Sequence, residues 1–321
     1  MSSYGWRPRI QTVKGCRSKS FPPDRLSPFA KSRIFILRHS LPVGEGGGEG
    51  DKRFVKKTQK EEGRIGSLTE ALGIEAREVI SLVGAGGKTT LMFRLAKELS
   101  LDGKKVVTTT TTKILEPASG ETGSLFVDSD EERIKDFLRS HLGQYVHITI
   151  ARERLESGKL KGVSPNLVDE LCHSRGFDAV IIEADGAAGR PVKAPREHEP
   201  VIPTSTTLIV ALLGVDGLEM KLNEENVFQP ERVSKITGVP MGEKLTDEAM
   251  AILMTHPEGL FKGASSSARV VAFLNKVDLP NGVAKANNIA HKILDKSHRQ
   301  IERIVLGQLK SKPPVVKVVF P

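Results

Sequence analysis

The sequence predicts an α/β fold with a doubly wound, mainly parallel sheet. Short apolar runs that fit buried strands alternate with segments whose apolar residues recur at helical spacing. A glycine-rich loop at residues 84–90 connects one such strand to the helix that follows it. Two carboxylates, Glu183 and Asp185, stand at the end of a later apolar strand. Strands that alternate with helices favour a parallel sheet covered by helices on both faces.

The first 66 residues differ in composition from the rest of the chain. Residues 1–44 contain nine basic residues and one acid, Asp24, so this segment carries +8 (9 − 1) of the formal net charge of +9. A segment rich in Arg and Ser and poor in acids predicts a transit peptide for a chloroplast or mitochondrion. A disordered basic tail, on an otherwise cytoplasmic protein, is the alternative. Residues 45–66 begin with a glycine-rich run and predict a flexible linker before one domain at residues 67–321.

Charge and hydropathy argue against two classes of partner. Outside residues 1–44 the charge is nearly balanced, so we expect no nucleic-acid partner. No apolar run approaches the roughly 18 residues that span a bilayer, so we expect no transmembrane helix. The two cysteines, Cys16 and Cys172, provide neither a disulfide framework nor a Cys-rich metal site.

The predicted elements of the domain follow a strand–helix order. Ser67 is expected to cap a short first helix, with Glu70 three residues later. Strands are expected at residues 79–83, 105–112, 145–151, 177–184, 207–213, 270–274 and 315–320. Helices are expected at residues 89–99, 129–142, 165–173, 246–254 and 285–309.

The loop between the first of these strands and its helix has the chemistry of a phosphate site. Glycines let successive backbone N–H groups turn toward an anion, and the helix N-terminus adds a favourable dipole. A lysine can then reach terminal phosphates, and the next hydroxyl can join Mg²⁺ coordination. The usual glycine six residues before the lysine is replaced by Leu82, so this loop is short. The predicted nucleotide-binding residues here are Gly84, Ala85, Gly86, Gly87, Lys88, Thr89 and Thr90.

Further candidates for metal and phosphate chemistry lie at the ends of other strands. We expect Asp185, ahead of Glu183, to serve Mg²⁺ together with Thr89, because both carboxylates can face the same side of a strand. Thr110 is a candidate metal hydroxyl, with plain β structure as the alternative. The glycine-rich segment after Asp185 predicts a loop that moves with the phosphate state, or else a proline-stiffened surface loop. Arg190 and Lys193 in that segment are candidate phosphate contacts.

A four-residue motif predicts the base. Asn275-Lys276-Val277-Asp278 follows the strand at 270–274 and matches the Asn-Lys-x-Asp pattern that reads guanine in many GTPases. A carboxylate there accepts from the N1–H and 2-amino groups of guanine, a donor pair that adenine lacks. Asn275, Lys276 and Asp278 are therefore predicted to bind the base, with GTP favoured over ATP. A simple strand-to-turn junction is the alternative.

These motifs together resemble the selenium-dependent hydroxylase accessory family of the YqeC type, over about residues 67–321. The resemblance rests on the loop at 82–90, the threonine run at 107–114, Glu183-Ala184-Asp185-Gly186, and the segments 193–195, 198–200 and 274–278. It implies a P-loop, nucleoside-triphosphate-hydrolase-like fold. It also implies a role in maturing molybdenum-cofactor hydroxylases, through a client metalloenzyme or a cofactor-insertion protein.

Two other functions remain open at this stage. The short loop resembles the Gly-Thr-Asn-Gly-Lys-Thr-Thr loop of the amide ligases that build peptidoglycan precursors, which implies ATP-dependent ligation. A nucleotide-binding assembly module that does not hydrolyse its ligand is the third. If the protein is an enzyme, the candidate catalytic residues are Lys88, Asp185, Glu183, Arg190 and Lys193. The client protein and the oligomeric state do not follow from the sequence.

Overall fold

A computed structural model describes residues 66–174, 176–296 and 301–321 of the chain. These residues belong to a compact unit that spans Thr58–Pro321. The predicted transit peptide at 1–44 and linker at 45–66 lie outside the described residues, apart from Gly66, and stay predictions. Among the helices that the structure describes, none has the length and apolar character needed to cross a membrane.

The described elements begin close to the predicted positions. The helices are α1 Leu68–Leu72, α2 Lys88–Leu101, α3 Glu131–His141, α4 Pro165–His173, α5 Pro230–Thr237, α6 Asp247–Thr255 and α7 Gly282–Lys296. The strands are β1 Glu78–Gly84, β2 Val106–Thr110, β3 Lys113–Leu115, β4 Ser124–Val127, β5 His147–Ala151, β6 Glu153–Arg154, β7 Lys159–Lys161, β8 Ala179–Glu183, β9 Val192–Lys193, β10 Leu208–Gly214, β11 Val227–Phe228, β12 Arg269–Asn275, β13 Arg303–Gly307 and β14 Val315–Val319. The predicted cap of α1 by Ser67 is confirmed. Asp130 caps α3.

The main sheet has the order β14-β13-β12-β10-β1-β8-β2-β5-β4 within the described residues. Every neighbouring pair is parallel except β13 and β14, so the predicted doubly wound, mainly parallel α/β fold is confirmed. Adjacent residues of β1 face opposite sides, because Leu82 packs with α1 and α2 while Val83 packs with α6 and α7. Helices therefore cover both faces of the sheet.

The parallel strands bring five chain segments to one edge of the sheet. The strand β1 lies between β8 and β10, and β2 and β12 lie one strand further out on either side. Their carboxyl ends are Gly84, Glu183, Gly214, Thr110 and Asn275. Open α/β sheets bind ligands at this edge. Each predicted site motif begins there.

The predicted long helix at 285–309 is wrong. The helix α7 ends at Lys296, and residues 303–307 form the strand β13. The apolar residues at 289, 293, 301 and 304 match helical spacing, but Ile304, Val305 and Leu306 are consecutive and fully buried. A contiguous apolar run of this kind is buried on both faces, as in an inner strand.

Other differences lie at the periphery of the fold. The strand β2 ends at Thr110, two residues early, because the N–H of Thr112 donates to Thr110 Oγ1 and turns the chain. The helix α5 and the strands β3, β4, β6, β7, β9 and β11 were not predicted from the sequence. The helix α5 carried signals for its ends, since Pro230 is its first residue and Gly238 its left-handed C-cap.

A buried histidine makes the stability of this fold dependent on pH. His147 in β5 is 5% exposed and contacts Thr108 Oγ1. Burial lowers the pKa of His147 to about 4, whereas an unfolded histidine has a pKa near ~6.5. Between these values the unfolded chain binds a proton that the folded chain excludes. The free energy of unfolding therefore falls as the pH drops, by at most about 1.4 kcal/mol per pH unit.

We expect His147→Asn to flatten this loss of stability between about pH 6.5 and pH 4. The free energy of unfolding, measured by denaturant titration across that range, checks the prediction. The exposed His173 supplies the control, because His173→Asn should retain the slope of the wild type. An unchanged slope in His147→Asn would contradict the assignment.

Candidate functional site

The loop between β1 and α2 is a backbone cradle at the carboxyl edge. Gly86 and Gly87 have φ values of +84° and +137°, which L side chains rarely adopt. A Cβ atom on Gly86 would lie 2.4 Å from the backbone N of Gly214, at the end of β10. Glycine at position 86 thus permits both the left-handed turn and the close approach of the two chain segments.

Two N–H groups of this loop have no partner among the described residues. The N–H of Gly84 donates to Asp185 Oδ2 at 2.9 Å, and the N–H of Ala85 donates to the Leu212 carbonyl at 2.8 Å. Among the residues that the structure describes, none accepts from the N–H of Gly86 or Gly87. Both glycines are half-buried and precede the first turn of α2. Such N–H groups at a helix N-terminus form an anion site.

Lys88 lies beside this cradle and between two carboxylates. Its Nζ donates to the Gly84 carbonyl at 2.6 Å. The same atom lies 3.2 Å from Asp185 Oδ1 and 3.6 Å from Glu183 Oε1, and all three side chains are buried. Asp185 Oδ1 has no hydrogen-bond partner among the described residues, so its contact with Lys88 is an ion pair without hydrogen-bond geometry. Glu183 and Asp185 both approach Lys88 from the end of β8.

One hydroxyl of the loop and one of β2 both contact Glu183, at its carboxylate and at its backbone carbonyl. Thr89 Oγ1 donates to Glu183 Oε2 at 2.7 Å, so Glu183, and not Asp185, contacts this hydroxyl. Thr90 is half-buried at the next position. Thr110 Oγ1 donates to the Glu183 carbonyl at 2.7 Å, which ties the ends of β2 and β8 together. Thr110 therefore lies at the predicted edge, with its hydroxyl engaged by the backbone.

Burial and charge set the protonation of this cluster. Burial favours the neutral amine of Lys88, but the charges of Asp185 and Glu183 outweigh it and the pKa of Lys88 lies above its ordinary value. Burial raises the pKa of Glu183, although Lys88 and Thr89 oppose the change. Burial also disfavours the charge of Glu199, but Lys193 outweighs it and the pKa of Glu199 is lowered.

The segment after Asp185 contains a second lysine, Lys193, that contacts the same carboxylate as Lys88. Lys193 is fully buried, and its Nζ donates to Asp185 Oδ2 at 3.0 Å, Glu199 Oε2 at 3.0 Å and the Gly186 carbonyl at 2.5 Å. Arg190 instead binds the carbonyls of Ala188 and Glu224. The structure thus brings Lys193 to the cluster and holds Arg190 on backbone carbonyls. Glu199 was not predicted, although its motif at 198–200 was visible in the sequence.

The Asn-Lys-x-Asp motif lies on the other side of the loop. Asn275 is buried, donates to the Gly86 carbonyl at 2.7 Å and accepts from the N–H of Leu309 at 3.0 Å. Asn275 therefore fixes the phosphate loop against the chain that follows β13. Its amide and carbonyl groups are both used in these contacts.

The two charged residues of the motif have partners that the sequence did not indicate. Lys276 Nζ lies 2.5 Å from Asp216 Oδ2, just after β10. Asp278 is exposed, and its Oδ2 accepts from Ser311 Oγ at 2.9 Å. Of the three predicted base contacts, Asp278 is the one whose side chain stands open to solvent.

Two partly open pockets of the described chain lie away from this site. One cavity of about 340 Å³ is lined by Lys105, Leu142 and Phe177, and another of about 310 Å³ by Asp178 and Ser205. These residues lie at or near the amino ends of strands. The phosphate loop lies at the opposite edge of the sheet, after the carboxyl end of β1.

A buried strand, a glycine loop ending in Lys-Thr, a helix, and carboxylates on the neighbouring parallel strand define the P-loop class of proteins. Within that class, a family model described as "YqeC protein" matches residues 80–231. "Uncharacterized protein YqeC" of Escherichia coli (strain K12) is 33% identical over 252 residues, covering 78% of this chain and 95% of that protein. The chain belongs to the YqeC family.

A solved structure also matches, at a low level of similarity. The signal recognition particle 54 kDa protein of Aeropyrum pernix K1, in complex with GDP, has a TM-score of 0.33 and 16% identity over 76% of this chain. The present chain spans 44% of that protein's chain, which is less than half of it. The fold assignment rests on the strand order and the loop geometry, and not on this match.

The close approach at Gly86 gives a test of the loop geometry. We expect Gly86→Ala to lower the free energy of unfolding by at least about 2 kcal/mol more than Gly103→Ala. Both glycines are left-handed, with φ of +84° and +75°, but a Cβ on Gly103 meets nothing within 4 Å. Denaturant titration of both variants isolates the contact with Gly214. Equal losses would contradict the described loop.

Proposed function

We propose that this protein binds a Mg²⁺–nucleoside triphosphate at residues 84–90 and hydrolyses it. One observation carries the proposal: the free N–H groups of Gly86 and Gly87 stand beside Lys88, a buried cation that two carboxylates neutralise. Phosphate oxygens would accept from these N–H groups, and the helix dipole of α2 would favour their charge. Lys88 would then exchange its carboxylate contacts for the terminal phosphates.

The oxygen atoms around Lys88 fit a magnesium ion that arrives with the nucleotide. Thr89 Oγ1 and Glu183 Oε2 are oxygens of the kind that Mg²⁺ takes. Asp185 Oδ1 is a buried oxygen that has no hydrogen-bond partner among the described residues. Within the described residues, no group of three or more His, Cys, Asp or Glu side chains could hold a metal by itself. Mg²⁺ commonly completes its shell with substrate phosphates. When bound, it would neutralise charge on the transferring phosphoryl group.

Three assignments follow for the residues of the chain. Thr89 with Glu183, and Asp185 through Oδ1 once Lys88 has left it, would hold the metal. Thr110 would support Glu183 through its carbonyl. Arg190 would reach phosphate only by leaving the carbonyls of Ala188 and Glu224.

Guanine is the favoured base, and the assignment rests on Asp278. Its exposed carboxylate has room for two donors besides Ser311, as the N1–H and 2-amino groups of guanine require. Asn275 and Lys276 would contribute by fixing the loop and the neighbouring chain, because their polar atoms already have partners.

The physiological role that we propose comes from the family resemblance. Nucleotide binding and hydrolysis would assist the maturation of molybdenum-cofactor hydroxylases, by acting on a client enzyme or on a protein that inserts its cofactor. The curated relative carries no assigned activity in its name, so the client class rests on the resemblance alone.

A second function is supported by a specific feature of the site. The side-chain amide of Asn275 binds the Gly86 carbonyl and the N–H of Leu309, so this residue of the motif has a structural role. An ATP-binding protein could have the same residue for the same reason. The short loop also resembles that of ATP-dependent amide ligases. An ATP-dependent ligase-like enzyme is therefore the alternative, and a non-hydrolysing assembly module is the third candidate.

The direct test measures binding and turnover of GTP and ATP by the full chain, each with and without Mg²⁺. We expect Mg²⁺-dependent turnover, and we expect Lys88→Ala to weaken triphosphate binding by at least about 100-fold, because the loop loses its cation. The exposed Lys97 on α2 supplies the matched control, Lys97→Ala.

The outcomes separate the three candidate functions. Tight binding without turnover of either nucleotide would favour the assembly module. Preference for ATP would favour the ligase-like enzyme. Wild-type affinity in a folded Lys88→Ala protein would remove the phosphate site altogether.

Asp278→Asn tests the base. We expect GTP binding to weaken by about 2 kcal/mol, or roughly 30-fold, because an amide N–H would then face the donors of guanine. Xanthine has a carbonyl in place of the 2-amino group, so the variant should gain relative preference for xanthosine triphosphate. Equilibrium titration with both nucleotides gives the ratio.

Leu279→Ala is the control, because Leu279 is 43% exposed, whereas Val277 belongs to the core. An unmoved ratio of GTP to xanthosine triphosphate affinity in Asp278→Asn would exclude the guanine pocket.

A further inference from the structure

Two buried lysines contact Asp185, and they are held in different ways. Lys193 makes three hydrogen bonds with its three N–H groups, to Asp185, Glu199 and the Gly186 carbonyl. Lys88 makes one hydrogen bond, to the Gly84 carbonyl, and contacts the carboxylates as ion pairs at 3.2 and 3.6 Å. Lys193 is thus fully satisfied inside the protein, whereas Lys88 is free to exchange its partners.

The contacts of Lys193 leave it no means of reaching a ligand directly. Its side chain is fully buried, and its Nζ lies 5.4 Å from the ring centroid of Phe228 on its remaining side. Moving it to a phosphate would leave the buried Glu199 without its lysine, and Asp185 with Lys88 alone. A buried charge that loses its partner is strongly destabilising. The direct phosphate contact predicted for Lys193 is therefore disfavoured.

Lys193 can instead compensate the negative charge of Asp185. Two cations, Lys88 and Lys193, face three carboxylates, Glu183, Asp185 and Glu199. If Lys88 leaves for a bound phosphate, Asp185 needs a cation that stays. Lys193 is placed for this, because it binds Asp185 Oδ2, the oxygen that also accepts from the N–H of Gly84.

Glu199 fixes Lys193 in that place. Glu199 Oε2 accepts from Lys193 Nζ, and its Oε1 accepts from the N–H of Gly186 at 3.2 Å. The N–H of Glu199 also closes a turn on the Arg196 carbonyl at 3.1 Å. The loop between Asp185 and Glu199 is therefore closed on the same lysine from both of its ends.

We propose that Lys193, held by Glu199, is a positioning residue: the permanent internal counter-cation of Asp185 that allows Lys88 to leave the carboxylates for the nucleotide. This inference rests on the proposed function, because it concerns the exchange of Lys88 between carboxylate and phosphate. It replaces direct phosphate contact as the task of Lys193. It also gives the loop at 186–199 a role in nucleotide affinity without contact to the nucleotide.

The test uses the full chain and measures nucleotide affinity without Mg²⁺, for whichever nucleotide the wild type binds more tightly. Lys193→Met should weaken binding at least about tenfold, because Lys88 then becomes the sole counter-cation of Asp185. Adding Asp185→Asn should restore affinity to within about threefold of the Asp185→Asn single variant, since the demand for a cation is gone. Loosened packing alone predicts no such restoration.

A second variant covers the case in which Lys193→Met does not fold. Lys193→Met with Glu199→Gln removes the cation together with its own anion, and the same loss and the same restoration by Asp185→Asn are expected. The control is Lys262→Met, because Lys262 binds the Glu197 carbonyl of the same loop but no residue of the cluster. It should bind like the wild type.

Two outcomes would overturn the inference. A folded Lys193→Met/Glu199→Gln protein with wild-type affinity would show that Asp185 does not need Lys193. A loss that Asp185→Asn fails to restore would show a purely structural role. A wild type that binds neither GTP nor ATP would instead overturn the proposed function, and this inference with it.

Discussion

The site depends on the ion pairing of Lys88 with Glu183 and Asp185. A lysine at 4% exposure next to carboxylates at 6% and 1% is stable only because the opposite charges meet. The fold makes them meet, since β1 and β8 are parallel neighbours and end at the same edge of the sheet. The same pairing keeps a cation beside two free N–H groups. The loop is thereby ready for an anion before any ligand arrives.

Much of the fold could be predicted, because its central elements carry local signals. The strand β1, the helix α2 and the strand β8 are continuous apolar runs or regular helical faces, and each was placed within a few residues. The error at α7 and β13 arose because helical spacing and a contiguous apolar run overlap at residues 301–306. The short outer strands lack such a signal, since their pairing depends on neighbours distant in the sequence.

The site was predictable where one segment carries its chemistry and unpredictable where distant segments share it. The composition and spacing of the sequence predict the loop, Lys88 and the carboxylates at the end of β8. They do not predict that Asn275 fixes the loop, because its partner Gly86 is 189 residues away. The hydrogen bonds of Lys276 with Asp216 and of Asp278 with Ser311 could not be predicted either, because the fold brings these distant residues together. Glu199 could be singled out only once Lys193 was seen to be buried.

The central claim is that Lys88 exchanges carboxylates for phosphate. A crystal structure of the full chain with Mg²⁺ and a non-hydrolysable triphosphate analogue, of the base that binds more tightly, tests it most directly. We predict that phosphate oxygens accept hydrogen bonds from the N–H groups of Gly86 and Gly87 and from Lys88 Nζ, while Lys193 remains on Asp185. A bound analogue that leaves Lys88 between Glu183 and Asp185, with its phosphates away from the loop, would contradict the account.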